Sequence, residues 1–301
     1  MKYVLENDII KIAVDSHGAE LVSIIKKDTN EEYLWQKKRY WKRSSPVLFP
    51  FVGNVTEGFY SVDGKKYSMG QHGFARDMDF TLLAKLPDEI WLGLDWDSET
   101  LEKYPYKFNL KIGYKISGSE VMCMWRVSTE SEEMHFMIGA HPAFNCPPRK
   151  VEDPVLNSEE EIENHDRTGC FVDYHTNHPI KYNLCDGKYL GFFDLDMECE
   201  NGCMRIDEHS FDRDALIIEN NQTHEVSLMT KEKEPFVTVK FEEPLVGIWS
   251  PVGESVPFVC IEPWFGRTDR VGFNGDISQR EYEQNVKRGE EFCSTYTIII
   301  E

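Results

Sequence analysis

Tyr106-Lys-Phe-Asn-Leu-Lys-Ile-Gly-Tyr-Lys-Ile116 alternates apolar and polar residues along its length. A period of two places every second side chain on the same face, as in a β-strand with one buried face. Val121–Val127 continues the pattern with Val121, Cys123, Trp125 and Val127. The apolar face of the first run carries Phe108, Leu110, Ile112 and Tyr114. The two runs therefore predict half-buried β-strands.

Short strand-like runs bounded by turn residues recur along the rest of the chain. Tyr60–Tyr67 carries an Asp-Gly turn between two β-prone segments, which predicts a hairpin. Many short strands at turn-bounded spacing are typical of an all-β sandwich. The other predicted strands are Ile9–Val14, Glu20–Ile25, Ala215–Glu219, Val226–Met229, Phe236–Phe241, Gly247–Trp249, Pro257–Ile261 and Ser294–Ile300.

Helical patterns are few. The two candidates are the acidic stretch Asn157–Glu163 and the segment Ser278–Lys287, each about three turns or less. The turn-rich region from Pro147 to about Tyr189 predicts an extended excursion. No internal repeat, Gly/Ser linker or low-complexity tract divides the chain, so residues 1–301 are expected to form one domain.

The charge balance limits the partners. The formal net charge is −20 and the pI is about 4.9, so a phosphate backbone or an anionic membrane would be repelled. The first residues, Met1–Asp8, have no apolar core of a signal peptide, and no window approaches the roughly 20 apolar residues of a membrane span. We therefore expect a cytoplasmic protein without a nucleic-acid or membrane partner.

The cysteines do not form a metal-binding pattern. There are eight, scattered without paired CxxC spacing, and the nearest two, Cys199 and Cys203, have no cysteine or histidine cluster beside them. Reduced thiols and no metal site are expected. The chain also lacks GxGxxG and GxxxxGK[ST], so no nucleotide cofactor is predicted.

Three segments place an ionisable side chain immediately before Gly or Pro. They are Gln71-His72-Gly73, Ala140-His141-Pro142 and Ile261-Glu262-Pro263. A following Gly or Pro is expected to end the regular strand and to present the polar side chain at the strand end. Such positions on rigid elements are where sites are commonly built.

Each of these residues also has a structural interpretation. His141 could be a core histidine bonded to a backbone carbonyl. Glu262 could be the buried half of a salt bridge with Arg267 or Arg43. Arg43 and Arg76 could donate to a hydroxyl or an anion, or could be solvated surface charges.

Four segments taken together indicate a family. Arg43–Pro50 (RSSPVLFP), Gln71–Arg76 (QHGFAR), Gly139–Phe144 (GAHPAF) and Cys260–Trp264 (CIEPW) follow one another in this order. The combination resembles the aldose 1-epimerase (galactose mutarotase) superfamily, and within it the LacX-like branch. The resemblance runs from Gly18 to the final strand. It implies an all-β, predominantly antiparallel β-supersandwich with few short helices, which interconverts the α- and β-anomers of a hexose without a metal or cofactor.

The resemblance also implies roles for individual residues. His141 matches the general acid and Glu262 the general base. His72 matches the histidine that contacts substrate near the ring oxygen, and Arg43 a substrate-binding arginine. A substrate-binding aspartate is expected as well. The best matches for this aspartate are Asp214, which is preferred, and Asp212.

Two features leave the sugar open. Ala143 stands where many galactose mutarotases have an aromatic residue. The sequence His-Gly-Phe-Ala-Arg is shared with the hexose-6-phosphate mutarotase branch, so Arg76 is a candidate for binding a phosphate. The expected substrate is thus a hexose or a hexose phosphate, bound by a monomer or a homodimer.

The implied chemistry needs one acid and one base. A base removes the proton of the C1 hydroxyl while an acid protonates the ring oxygen, and the expectation is that they flank the pyranose from opposite sides. Two alternatives remain: a carbohydrate-binding or regulatory protein on the same scaffold, and a glycoside hydrolase or lyase, which usually needs two carboxylates. Aromatic residues that could stack on the sugar are Trp35, Phe74, Phe144, Trp249 and Trp264.

Overall fold

A computed structural model describes residues 1–36, 40–151, 166–251 and 256–301. Its strands in chain order are β1 (Lys2–Glu6), β2 (Ile10–Asp15), β3 (Glu20–Lys26), β4 (Glu31–Leu34), β5 (Val47–Leu48), β6 (Phe59–Val62), β7 (Lys65–Ser68), β8 (Thr81–Lys85), β9 (Glu89–Asp95), β10 (Phe108–Ser117), β11 (Glu120–Thr129), β12 (Glu133–Phe136), β13 (Ile138–Ala140), β14 (Ala143–Lys150), β15 (Phe171–Asp173), β16 (Lys181–Tyr182), β17 (Cys185–Asp186), β18 (Tyr189–Leu190), β19 (Leu195–Asp196), β20 (Cys203–Arg205), β21 (Leu216–Ile218), β22 (Glu225–Met229), β23 (Pro235–Lys240), β24 (Leu245–Trp249), β25 (Phe258–Phe265), β26 (Gln284–Lys287) and β27 (Glu291–Ile300).

Most of these strands belong to two large sheets. The first follows the order β1-β2-β3-β4-β14-β25-β13-β5, with β24 paired to β25 and β21 paired to β24. The second follows the order β20-β15-β22-β23-β27-β11-β10-β9-β8. Every ladder between the described strands is antiparallel. The predicted all-β, predominantly antiparallel supersandwich is confirmed.

The alternating run Tyr106–Ile116 forms most of β10, and its apolar face lies in the core. The four side chains of this face, Phe108, Leu110, Ile112 and Tyr114, are buried, and β10 pairs with β11 over its whole length. The hydroxyl of Tyr114 donates to the carbonyl of Ala19 beside β3, 2.8 Å away, and so connects the two large sheets. Burying one such side chain stabilises the fold by about 1.5–3 kcal/mol, and a slip of one residue would expose the whole face.

The predicted hairpin is also confirmed. β6 and β7 pair from Phe59 with Ser68 to Val62 with Lys65. Asp63 and Gly64 have positive φ values of 49° and 77°. A two-residue turn with both φ values positive matches the twist of the flanking strands, which is why Asp-Gly favours this turn.

The predicted helix Ser278–Lys287 is wrong. Only a 3₁₀ turn, Ile277–Gln279, forms at its start, and the chain then continues into β26, which pairs with β12. Two tertiary contacts override the helical pattern. Arg280 is drawn into a buried ion pair with Asp269, and Val286 packs into the core. The other predicted helix, Asn157–Glu163, lies outside the described residues.

Helix in the described residues consists of one α-helix and short 3₁₀ turns. The helix α1 (Ser98–Lys103) has a capping box in which Asp97 and Thr100 exchange side-chain and backbone hydrogen bonds. The 3₁₀ turns are Thr56–Gly58, Ala75–Asp77 and Ile277–Gln279. Within the described ranges, no helix has the length and apolar character needed to cross a membrane.

Candidate active site

A break in the first sheet creates the site. Strand β13 ends at Ala140 and β14 begins at Ala143, and both pair with β25. Pro142 lies in between and has no N–H to donate to a ladder, so the pairing is interrupted there. His141 lies in this break.

The strand register places His141 opposite Glu262. Ala143 faces Cys260 in the β14–β25 ladder, and the β13–β25 ladder keeps the same register on the other side of the break. His141 lies two residues before Ala143, and Glu262 lies two residues after Cys260. In this register the two residues are opposite each other. Opposed side chains on one sheet face lie close together, and Nε2 of His141 is 3.2 Å from Oε2 of Glu262.

The Glu-Pro pattern predicts that Glu262 lies at a strand end, and this prediction is wrong. β25 continues to Phe265, so Glu262 lies in the middle of the strand. Pro263 fits here because the β13–β25 pairing stops at Gly139 and Trp264. Pro263 still pairs with Val246 of β24 on its other side. A proline in a central strand is tolerated where its missing N–H would face the side on which the pairing is interrupted.

His141 and Glu262 lie on the face of the first sheet that is turned away from the main core. Along β25, Val259 and Ile261 enter the main core, whereas Cys260 belongs to a separate small apolar cluster on the other face. Glu262 shares the face of Cys260 because successive side chains alternate. A cavity of about 440 Å³ opens here. Its walls include Tyr40, Trp41, Gln71, His72, Arg76, His141, Lys188, Asp214, Trp249, Glu262 and Trp264.

His72 is held by a turn that requires glycine. His72 and Gly73 both have positive φ, and a Cβ on Gly73 would lie 2.2 Å from the carbonyl oxygen of Phe49. The amide of Gly53 donates to Nδ1 of His72 at 3.1 Å. With Nδ1 as acceptor, the proton is on Nε2, which is a donor. Burial, aided by the neighbouring His141, lowers the pKa of His72 well below its ordinary value.

His141 lies in an aromatic enclosure. The ring of Trp41 stacks on it with centroids 4.7 Å apart, and Trp249 approaches edge-on at 5.4 Å. Burial and the nearby positive charge of Arg76 lower the pKa of His141 to about 3. Its imidazole is therefore neutral in the empty site.

Among the described residues, Glu262 is buried without an arginine partner. Its exposed fraction is 1%, and burial together with repulsion from Asp214 raises the pKa of Glu262 well above its ordinary value. The structural interpretation of Glu262 as the buried half of a salt bridge with Arg267 or Arg43 is therefore wrong. Arg267 pairs with Glu219 and Glu281, and Arg43 pairs with Asp77. The ion-pair contact of Glu262 within the described residues is His141.

The two candidate arginines are placed differently. Arg76 lines the cavity and donates through Nη2 to the carbonyl of Gln71 at 2.8 Å. Arg43 is not among the residues that line the cavity in the described structure. Its Nη2 is 2.7 Å from Oδ1 of Asp77, whose other oxygen is 3.8 Å from Nε of Arg76. Arg43 therefore contacts Asp77 and Arg76 behind the cavity wall, and its charge contributes to lowering the pKa values of His72 and His141.

The structure separates the two candidate aspartates. Asp214, with φ at 71°, lines the cavity, and the side chain of Trp249 donates a hydrogen bond to its carboxylate. Burial raises the pKa of Asp214. Asp212 instead pairs with His209 at the surface, 2.9 Å away.

Sequence interpretation missed part of the cavity wall. Of the five aromatic candidates, only Trp249 and Trp264 line the cavity, while the others pack elsewhere. Trp41 was not predicted, although it lies only two residues before the quoted segment Arg43–Pro50. Lys188 was not predicted either, because a lysine that follows a turn glycine carries no signal of its own.

Trp264 depends on two glycines, and this leads to a prediction. A Cβ on Gly247 would lie 2.3 Å from the indole of Trp264, and one on Gly139 would lie 2.5 Å from it. The indole nitrogen donates to the carbonyl of Ala140 at 3.1 Å, next to the break. We expect Gly247→Ala to displace the ring and destabilise the fold by about 1–3 kcal/mol. Thermal unfolding and tryptophan fluorescence would measure this.

Gly70→Ala is the control for this substitution, because a Cβ there meets nothing within 4 Å. Gly247→Ala with the control's stability and an unchanged fluorescence spectrum would contradict the packing described for Trp264.

The two-sheet antiparallel β-supersandwich is the fold of the galactose mutarotase-like class of protein. The family model for aldose 1-epimerase matches residues 1–283. The chain belongs to the aldose 1-epimerase family.

Individual relatives agree with this membership. Protein LacX (plasmid) of Lactococcus lactis subsp. lactis is 30% identical over 275 residues, which cover 87% of each chain. A galactose mutarotase related enzyme from Lactobacillus acidophilus is 31% identical with a TM-score of 0.89, covering 100% of this chain and 97% of that one. A galactose mutarotase-like protein from Lactobacillus casei ATCC 334, at 24% identity and a TM-score of 0.90 over the whole of both chains, shows the same fold.

Proposed function

We propose that this protein is an aldose 1-epimerase that interconverts the α- and β-anomers of a hexose or hexose phosphate by acid–base ring opening, without a metal. The observation that supports this most strongly is the contact between His141 and Glu262. Two buried titratable groups face each other 3.2 Å apart on the wall of one cavity. Perturbed pKa values in a cleft are typical of catalytic groups.

In the proposed mechanism the pair holds one proton. With the cyclic sugar bound, the Glu262 carboxylate takes the proton of the C1 hydroxyl while His141 gives its proton to the ring oxygen. The bond between C1 and the ring oxygen breaks, and the open aldehyde rotates about C1–C2. Ring closure then returns the proton from Glu262 to the C1 oxygen and restores the proton of His141. The sugar and the pair each end with the protons they began with.

The resting protonation state differs from the start of this cycle by one proton transfer. The raised pKa of Glu262 and the lowered pKa of His141 favour the proton on Glu262 in the free enzyme. That distribution is the one reached when the sugar ring is open. With a cyclic sugar bound, the proton must therefore first pass from Glu262 to His141 across their 3.2 Å contact.

The two groups lie side by side rather than on opposite sides of the ring. This differs from the arrangement expected from the sequence. Both reacting oxygens are bonded to C1, so an acid and a base held next to each other can reach both. The adjacency follows from the opposed positions of His141 and Glu262 in the strand register.

The remaining residues of the wall would hold the sugar. The Nε2–H of His72 donates toward the cavity, and the carboxylate of Asp214 can accept from sugar hydroxyls. Arg76 and Lys188 supply positive charge, so the proposal covers hexose 6-phosphates as well as free hexoses. Arg43 would act indirectly by positioning Asp77 and Arg76.

The proposal also covers the cellular location, the domain organisation and the oligomeric state of the enzyme. All eight cysteines are free thiols, which supports a reducing, cytoplasmic location. We propose one domain over residues 1–301 that acts as a monomer or a homodimer.

The test is an NMR exchange assay over a panel of free and 6-phosphorylated hexoses. Catalysis appears as faster exchange between the α- and β-anomeric signals, in proportion to enzyme concentration. The ranking of the panel identifies the sugar and the effect of phosphate. Sugar binding without faster exchange would contradict the proposal and favour the carbohydrate-binding alternative.

The pKa shifts also predict the pH profile. The active form has one proton on the pair, so activity falls when a second proton is added or the last one is lost. The second proton is added only near pH 3, the lowered pKa of His141, and the last proton leaves only above the raised pKa of Glu262. We expect kcat/KM not to fall as the pH is lowered through 6.5 and to decline only toward pH 3, after correction for the uncatalysed rate. A sharp inflection near the ordinary histidine pKa of 6.5 would contradict this.

A further inference from the structure

A third potential ligand lies next to the catalytic pair. Cys260 and Glu262 are two residues apart on β25 and share its outer face. Ligand atoms of His141, Cys260 and Glu262 all lie within 4.8 Å of one another. The thiol has no part in the proposed ring opening, and Cys260 does not line the cavity in the described structure.

The buried polar atoms of this trio are incompletely satisfied. Cys260 and Glu262 have exposed fractions of 0% and 1%, and His141 is also buried. Although Oε2 of Glu262 is close to His141, it makes no hydrogen bond of acceptable geometry with any described residue. A buried oxygen without a donor requires an explanation. The carboxylate of Glu262 is also close to the two other potential ligands, an imidazole nitrogen of His141 and the sulfur of Cys260.

We propose that His141, Cys260 and Glu262 form a binding site for a thiophilic divalent cation such as Zn²⁺, and that the cation inhibits the enzyme. The inhibition rests on the proposed function, whereas the binding does not. Nitrogen, sulfur and carboxylate oxygen are the common zinc ligands. A thiolate ligand favours Zn²⁺ or Cd²⁺ over Mg²⁺ and Ca²⁺.

The distances suit such an ion after a small adjustment. Zinc lies about 2.3 Å from sulfur and about 2.0–2.2 Å from nitrogen or oxygen, so two of its ligands at a tetrahedral angle are about 3.4–3.7 Å apart. From the outer limit of 4.8 Å, the ligand atoms of the trio need to draw together by at most about 1 Å. Three protein ligands leave a fourth position for water on the cavity side, as in open zinc sites.

Inhibition follows from the lone pairs that the ion would use. A metal binds the neutral imidazole and the ionised carboxylate. These are the lone pairs that accept protons during ring opening and closure. The bound ion and its water would also stand where C1 of the sugar must approach. The cation and the sugar are therefore expected to compete.

The test uses metal-free protein prepared with a chelator and titrated with Co²⁺, whose bond to a thiolate gives a charge-transfer absorption band. We expect the band at one equivalent in the wild type and its loss in Cys260→Ser. The matched control is Cys123→Ser, a buried cysteine in β11 that should keep the band. If Cys260→Ser proves unstable by thermal unfolding, Cys260→Ala serves in its place.

The second measurement is anomer exchange with Zn²⁺ or Mg²⁺. Zn²⁺ is expected to inhibit the wild type reversibly, with activity restored by chelator, and Mg²⁺ to have no effect. Loss of a ligand should weaken zinc inhibition by at least about 10–100-fold in Cys260→Ser, since even outer-shell changes have effects of that size. Equal zinc inhibition in Cys260→Ser and the wild type, or activation by Zn²⁺, would overturn the proposal.

The two proposals fail in different ways. A cobalt–thiolate band that depends on Cys260 in a protein without exchange activity would support the metal site and contradict the epimerase. Exchange activity in metal-free protein with no cobalt–thiolate band and no response to Zn²⁺ would support the epimerase and contradict the metal site.

Discussion

Glu262→Gln is expected to lower kcat/KM for anomer exchange by about 10²–10⁴-fold, the usual contribution of one proton-transfer group. The amide keeps the shape of the side chain but cannot accept the proton of the C1 hydroxyl. The fold should be retained, because no arginine in the described part of the chain pairs with Glu262 and would be left unpaired. The measurement is the exchange rate by NMR at matched enzyme concentration, with circular dichroism to check folding.

A second His–Glu contact in the same chain provides the control. His135 and Glu283 lie 3.2 Å apart, and both side chains are largely buried. They lie outside the cavity that contains Glu262. Glu283→Gln should therefore leave exchange unchanged. Equal activity losses in Glu283→Gln and Glu262→Gln would indicate a general structural effect and would contradict the assignment of the base.

His141→Asn is expected to cause a loss of the same order, about 10²–10⁴-fold in kcat/KM. Asparagine can still donate a hydrogen bond from the cavity wall, but it cannot exchange a proton with the ring oxygen. The same NMR assay measures the loss, with His135→Asn as the control. Retained turnover in His141→Asn would remove His141 from the mechanism.

The two substitutions should not be additive. His141 and Glu262 share one proton in the proposed cycle, so the loss of either one interrupts the same transfer. Groups that act as a unit give non-additive losses. The double variant is expected to be about as active as the poorer single variant.

The sandwich was predictable because its signals are local. The alternation from Phe108 to Ile116 and the Asp63-Gly64 turn each specify a local conformation without reference to distant residues. The segment Ser278–Lys287 shows where this approach fails. Its conformation is set by the ion pair of Arg280 with Asp269 and by pairing with β12, contacts that its own pattern does not contain.

The residues of the proposed site could be selected from the sequence, but their arrangement could not. The quoted segments contain His72, Arg76, His141 and Glu262, and all four reach one cavity. That His141 lies directly beside Glu262 depends on the register between strands more than a hundred residues apart.

Other parts of the site depended on tertiary pairing. Arg43 was expected at the substrate; in the structure it pairs with Asp77 and is not among the described residues that line the cavity. Trp41 was missed because stacking on His141 is a contact that the local pattern does not reveal. The approach of Cys260 to the pair likewise follows from the sheet rather than from any cysteine spacing.

The most direct test of the central claim is two-dimensional NMR exchange between the α- and β-anomeric protons of the best sugar in the panel. The spectra compare the wild type, Glu262→Gln and Glu283→Gln. The account predicts cross-peaks that grow in proportion to wild-type or Glu283→Gln enzyme and fall to the uncatalysed level with Glu262→Gln. A wild-type protein that binds the sugar without strengthening the cross-peaks, or a Glu262→Gln variant as active as the wild type, would contradict it.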